Sequence, residues 1–128
     1  MAEIPEDHLD LLERPIVASL ATVRPDGSPQ VNPMWFVYDG NVIRFTHTDV
    51  RQKFRNLTAE PRVAVVIVDP DKTNRYLEVR GVVSDITPDP EGEFYKELSV
   101  RYGRGPNGPS DAPHRVIISV TINHATWM

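Results

Sequence analysis

Residues 20–40 read L-A-T-V-R-P-D-G-S-P-Q-V-N-P-M-W-F-V-Y-D-G. Two turn signals bracket an apolar run of strand length. In Pro25-Asp26-Gly27 the proline presets φ and the glycine admits φ > 0. Asp39-Gly40 is the strongest hairpin dipeptide in the chain. Strand one, residues 16–23, therefore returns as strand two, residues 29–38, which returns as strand three, residues 41–46. The product is an antiparallel three-strand meander. Pro33 inside strand two implies an edge, a bulge or an interrupted ladder, because proline cannot donate to it. An interrupted ladder leaves backbone groups of Asn32, Pro33 and their neighbours for a ligand. Met34, Trp35 and Phe36 form a flat, polarizable wall suited to an aromatic ring. Plain core packing is the other reading of the same three side chains.

Outward from the meander, residues 4–14 carry Leu9, Leu11 and Leu12 behind Pro5 and read as a short amphipathic helix ended by Pro15. After strand three, residues 46–57 (T-H-T-D-V-R-Q-K-F-R-N-L) read as a strand end and a helix start. Thr48 or Asp49 is the expected cap, with Gln52 completing a capping box on Asp49. Residues 62–68 (R-V-A-V-V-I-V) form a β-branched, buried central strand. Residues 75–86 form a fifth strand, with a bulge or bend expected at Gly81. Asp89-Pro90 opens a helix whose apolar face is Phe94, Leu98 and Tyr102. A Gly/Pro-rich loop, residues 104–113, precedes a last strand, residues 114–121. The fold class is mainly β: a six-stranded antiparallel barrel with three short helices, spanning residues 1–128 as a single domain.

The net charge of −4 argues against a general nucleic-acid binder, which carries a basic surplus. A local basic cluster on an acidic chain points instead to one small anionic ligand. No cysteine is present, which excludes disulfides and thiolate metal sites. No apolar run approaches the ~18–20 residues of a membrane span, and the N-terminal residues lack a signal-peptide pattern. The cytoplasm is the default location.

The basic cluster is Arg51, Lys53 and Arg55. A phosphate at a helix start meets free N–H groups and the positive end of the helix dipole. Arg51 and Lys53 diverge by about 200° on a helix, so both reach one anion only if Arg51 lies at the helix entry. A solvated helix face is the competing reading. His47 lies beside the cluster and can touch a ligand, or it can be an ordinary hydrogen-bonded histidine. His8, His114 and His124 are scattered, and no pair has the i,i+4 spacing of a helical metal site. No nucleophile elbow, Walker loop or dinucleotide glycine pattern occurs, so no catalytic residue and no metal site is assigned. Residues 103–108 form a glycine-rich loop suited to the mouth of a site.

The hairpin at residues 20–40, then R-Q-K-F-R-N-L-T-A-E-P-R-V-A-V-V-I-V-D-P and N-R-Y-L-E-V-R-G, together resemble the split β-barrel flavoproteins like pyridoxamine-phosphate oxidase. More closely, the chain resembles the actinobacterial branch that uses the deazaflavin coenzyme F420. The resemblance covers residues 11–86 well. It implies a homodimer with cofactor sites at the subunit interface. Asn32, Pro33, Met34, Trp35 and Phe36 would face the ring, and Thr46, His47 and Thr48 would follow the ribityl chain. Arg51 and Lys53, with Arg55 and Asn56 nearby, would hold the phosphate, while Tyr76 and Arg75 would come from the partner chain. The C-terminal substrate segment of pyridoxamine-phosphate oxidase proper is absent. The expected function is an F420-dependent reductase that passes a hydride to a small electron-poor acceptor. FMN is the alternative cofactor. A non-catalytic flavin or haem carrier, with His47 or His114 as axial ligand, is the third reading.

Overall fold

Gly27 and Gly40, with φ of +88° and +66°, mark the two turns of the meander. A computed structural model describes residues 3–50 and 52–128, with Gln52 and Lys53 described by backbone alone. Near the N-terminus, a 3-10 turn at Glu6–His8 runs into a single α-helical turn, α1 (Asp10–Glu13). The expected helix over residues 4–14 is thus divided: its first bond is the i→i+3 type, from His8 N–H to Pro5 O at 2.9 Å.

Strand β1 (Ala18–Val23) pairs with β2 (Pro29–Met34) around the first turn. Asp26 builds that turn with its side chain, accepting hydrogen bonds from the Ser28 N–H at 2.9 Å and the Ser28 hydroxyl at 2.6 Å. Then comes β3 (Phe36–Asp39), which pairs with β4 (Val42–Thr48). Asp39 faces Val42, so the two-residue loop is Gly40-Asn41, with positive φ at the glycine alone. This is the geometry of a glycine-first hairpin turn, displaced one residue from the Asp39-Gly40 reading.

The expected second strand, residues 29–38, is two strands. The break falls at Trp35, and the sheet has seven strands rather than six. Distant residues enforce it. The Tyr102 hydroxyl accepts the Phe36 N–H at 3.1 Å and donates to Ile16 O at 2.8 Å. Arg101 Nε donates to Phe36 O at 3.0 Å. Both backbone groups of Phe36 are thus satisfied away from any strand continuing β2.

Helix α2 (Gln52–Ala59) follows β4. Its start next to Arg51 lies outside the described residues, and with it the test of the expected cap. Thr48 is still strand, and the Asp49 carboxylate faces His114 Nδ1 at 3.4 Å. Strand β5 (Arg62–Val68) is the central β-branched strand. Strands β6 (Tyr76–Pro88) and, after helix α3 (Glu93–Arg101) and a 3-10 turn at Ala112–His114, β7 (Arg115–Trp127) are long and pair from Leu77–Trp127 to Pro88–Val116. The last strand runs six residues beyond its expected end because β6 offers it a ladder that far. A register shift falls at Arg80/Gly81, as the glycine suggested. A Cβ on Gly81 would lie 2.3 Å from the Thr121 carbonyl oxygen, so only glycine lets the strands cross there.

The sheet order is β2-β1-β5-β6-β7-β4-β3, antiparallel throughout. The first and last strands of that order are joined by Trp35 alone. The chain thereby curls the sheet around a core that includes Leu20, Phe36, Phe45, Ile67, Leu77 and Ile118, with Leu11 and Leu12 of α1 packed into it. No helix of the described residues is long and apolar enough to cross a membrane.

Candidate functional site

Where β2 ends and the chain bends toward β4, the curled sheet leaves a split. A cavity of about 370 Å³ opens there, lined by Asn32, Pro33, Met34, Trp35, Thr46, His47 and Arg115. Six of the fourteen residues singled out from sequence therefore meet at one place. They come from β2, from the break and from the end of β4.

Each wall is held from behind. The Trp35 indole stacks on the Tyr102 ring at 5.1 Å with planes 10° apart. A chain of side-chain amides positions Asn32. The Asn56 Nδ2, fully buried, donates to Thr22 Oγ1 at 3.2 Å and Gln30 Oε1 at 3.1 Å. The Gln30 Nε2 donates in turn to Asn32 Oδ1 at 3.1 Å. With Oδ1 occupied, the Asn32 amide offers its N–H₂ to whatever enters. The Thr48 hydroxyl is 1% exposed and has no hydrogen-bond partner among the described residues. It sits where β4 leaves the cavity, and a buried unsatisfied hydroxyl is costly enough to need an explanation.

Arg115 is the cavity's cation and was not singled out from sequence. Its side chain is largely buried and pairs with Asp111 through Nε at 3.0 Å. Its Nη1 reaches Thr46 Oγ1 at 3.4 Å, and the guanidinium lies 4.7 Å over the Tyr95 ring. One arginine opening an apolar strand carries no signal of its own. Its register opposite Thr48 brings it to the site.

The other expected residues lie elsewhere. Phe36 is in the core with no exposed surface. Arg55 is on the outer face of α2, and Asn56 is beneath it, facing β1 and β2. Arg51 and the Lys53 side chain lie outside the described residues. Arg75 is held by Asp10 at 2.6 Å and Asp69 at 2.9 Å, which raise its pKa above the ordinary arginine value. The Tyr76 N–H donates to Met128 O at 3.0 Å, at the end of β7 opposite Arg115. Twelve strand residues separate that end from the cavity, about 40 Å of strand at ~3.3 Å per residue. His47 is buried in the cavity wall, and His114 is half exposed beside Asp49.

A family model for pyridoxamine 5'-phosphate oxidase matches residues 4–127. No curated protein matches the chain. A solved structure named F420 reductase is 56% identical over 96% of this chain and 98% of its own, with a TM-score of 0.92. A conserved hypothetical protein of Mycobacterium tuberculosis shares the fold at 22% identity, over 98% of this chain and 84% of its own, TM-score 0.75. General Stress Protein 26 of Bacillus anthracis does so at 20% identity, over 96% and 92%, TM-score 0.71. With the family model running almost end to end through the strands that build the cavity, the chain belongs to the pyridoxamine 5'-phosphate oxidase family.

Proposed function

We propose that the protein is an F420-dependent oxidoreductase that reduces a small electron-poor acceptor. The observation that carries this reading is the 56% identity, over nearly the full length of both chains, to a structure named F420 reductase. The cavity's chemistry agrees with it. Trp35 and Met34 give a flat wall for a ring, while the Asn32 N–H₂ and Arg115 supply donors to ring oxygens or an anionic nitrogen. The orphaned Thr48 hydroxyl gains a partner in a polyhydroxylated chain that leaves along β4. The phosphate then reaches Arg51, Lys53 and Arg55 about the start of α2, where cations and helix dipole act together.

When bound, the reduced deazaflavin would supply a hydride at its ring. The acceptor takes that hydride on one atom of its double bond and a solvent-derived proton on the other, two electrons in all. The protein's part is to orient both reactants, and because solvent supplies the proton no acid–base dyad is required.

A homodimer completes this reading. Tyr76 is too far along its own strand to reach the cavity, so a second copy would have to bring it there. Val31, Val68 and Trp127 are exposed apolar side chains of the sheet, available to such a partner.

Titration of the purified protein with F420 and with FMN, following tryptophan and cofactor fluorescence, tests the assignment. Saturable F420 binding is expected. Tight FMN binding with none for F420 would overturn it in favour of the FMN reading, and a Soret band on reconstitution would favour the haem carrier.

A further inference from the structure

A second cavity, about 410 Å³, also borders Trp35 and is lined by Trp35, Tyr95, Ser99, Arg104, Asn107 and Gly108. It shares the indole with the first cavity. The two are joined a second time through Arg115, which lines the first and lies 4.7 Å over the Tyr95 ring of the second. Tyr95 and Trp35 are themselves tilted neighbours at 6.2 Å.

The backbone at Arg104 is fixed, while its side chain is exposed at the cavity rim. Helix α3 closes with Gly103 at φ +76°, the Gly103 N–H on Val100 O at 3.1 Å and the Arg104 N–H on Ser99 O at 2.8 Å. These are the two bonds of a Schellman motif, which places Arg104 at a defined point just past the helix end. The loop then returns close along α3: a Cβ on Gly108 would lie 3.0 Å from Lys96 Cε. The Arg104 guanidinium has no ion-pair or hydrogen-bond partner among the described residues, and no carboxylate lines the cavity. A guanidinium in that position matches a carboxylate, with two parallel N–H···O bonds available. The two aromatic rings favour a flat molecule beside it.

We propose that this second cavity receives the acceptor and that the acceptor is a small planar carboxylic acid. Its carboxylate pairs with Arg104, and its unsaturated part lies along Trp35 and Tyr95 toward the first cavity. The assignment rests on reading the first cavity as the cofactor site.

Cinnamate, with cinnamamide as its neutral counterpart, serves as the probe. The readout is the indole N–H resonance of Trp35, assigned by comparison with a Trp127→Phe variant and followed in the protein with both tryptophans, with and without F420. Cinnamate is expected to shift that resonance saturably. Arg104→Gln should weaken cinnamate binding by about tenfold or more, the loss typical of a hydrogen bond to a charged group. Cinnamamide should bind weakly and equally to both proteins. Equal cinnamate affinity in the two proteins, or no effect on Trp35, would overturn the proposal. So would an Arg104→Gln loss confined to F420 affinity, which would place Arg104 on the cofactor instead. Arg104-dependent cinnamate binding in a protein that takes up neither F420 nor FMN would support the carboxylate site and sink only the cofactor reading.

Discussion

The Asn56 amide has no exposed surface, yet it governs a residue that faces the cavity. Through Gln30 it determines which end of Asn32 points inward. Asn56→Leu would leave the Thr22 hydroxyl and the Gln30 carbonyl without their donor. A loss of about 2 kcal/mol is expected from a buried polar group stripped of its partner. Denaturant unfolding measures it, and an unchanged midpoint would show that the amide chain carries no weight. F420 affinity should fall as well, although Asn56 lines no part of the cavity. None of this was legible in sequence. From sequence Asn56 reads as a neighbour of the phosphate on a basic helix, and its actual partners lie 26 and 34 positions away. That Asn32, Pro33, Met34 and Trp35 gather at one place was legible, because a proline inside the expected strand already implied an interrupted ladder there, whereas Phe36, read into the same wall, is in the core.

At the scale of elements, the hairpin turns and the Gly81 bulge were readable because each rests on local backbone chemistry. The break at Trp35 was not, because it is imposed across the fold by the end of α3. Arg101 bonds the Phe36 carbonyl and also the carbonyls of Leu12, Glu13 and Arg14, so one side chain ties α1 to the bend. Beside it, the Tyr102 hydroxyl takes the Phe36 N–H, and burial raises the pKa of its phenol. Tyr102→Phe keeps the stack on Trp35 and removes both that acceptor and the donor to Ile16 O. A destabilisation of about 1–3 kcal/mol is expected from the orphaned N–H. Hydrogen exchange should show the Phe36 amide newly labile. A protected Phe36 amide in the variant would mean that the bend has another cause.

At the scale of the molecule, two charged clusters fasten the N-terminal segment and respond oppositely to pH. Asp10 is held below the usual carboxylate range mainly by its hydrogen bonds from Arg75, and Asp69 mainly by the Asp71 N–H, with Arg75 adding to it. Their folded values lie below the unfolded ones. The stabilisation is therefore present above about pH 4 and lost as pH falls through the folded values. His8 runs the other way. Its bonds to the Asp7 carboxylate and the Met128 carbonyl raise its pKa, so its contribution is full below about pH 6.5 and lost as pH rises through the folded value. Thermal midpoints measured against pH should fall on both sides. Asp69→Asn is expected to flatten the acid limb and His8→Gln the alkaline one, and limbs unmoved by these changes would refute the assignment.

The prolines of β2 have a bearing on what else can approach the split. Pro29, Val31 and Pro33 share one alternation of the strand and face Val23, Ala21 and Ser19 of β1. A proline is tolerated in a ladder only where its missing N–H would point outward. The outward row of this edge therefore carries three carbonyls and a single N–H, that of Val31. A second β-strand docking there would find almost no donors and would set carbonyl against carbonyl. An edge so short of donors resists runaway strand addition, the first step of fibril growth, while leaving the split open to a small molecule that brings its own donors.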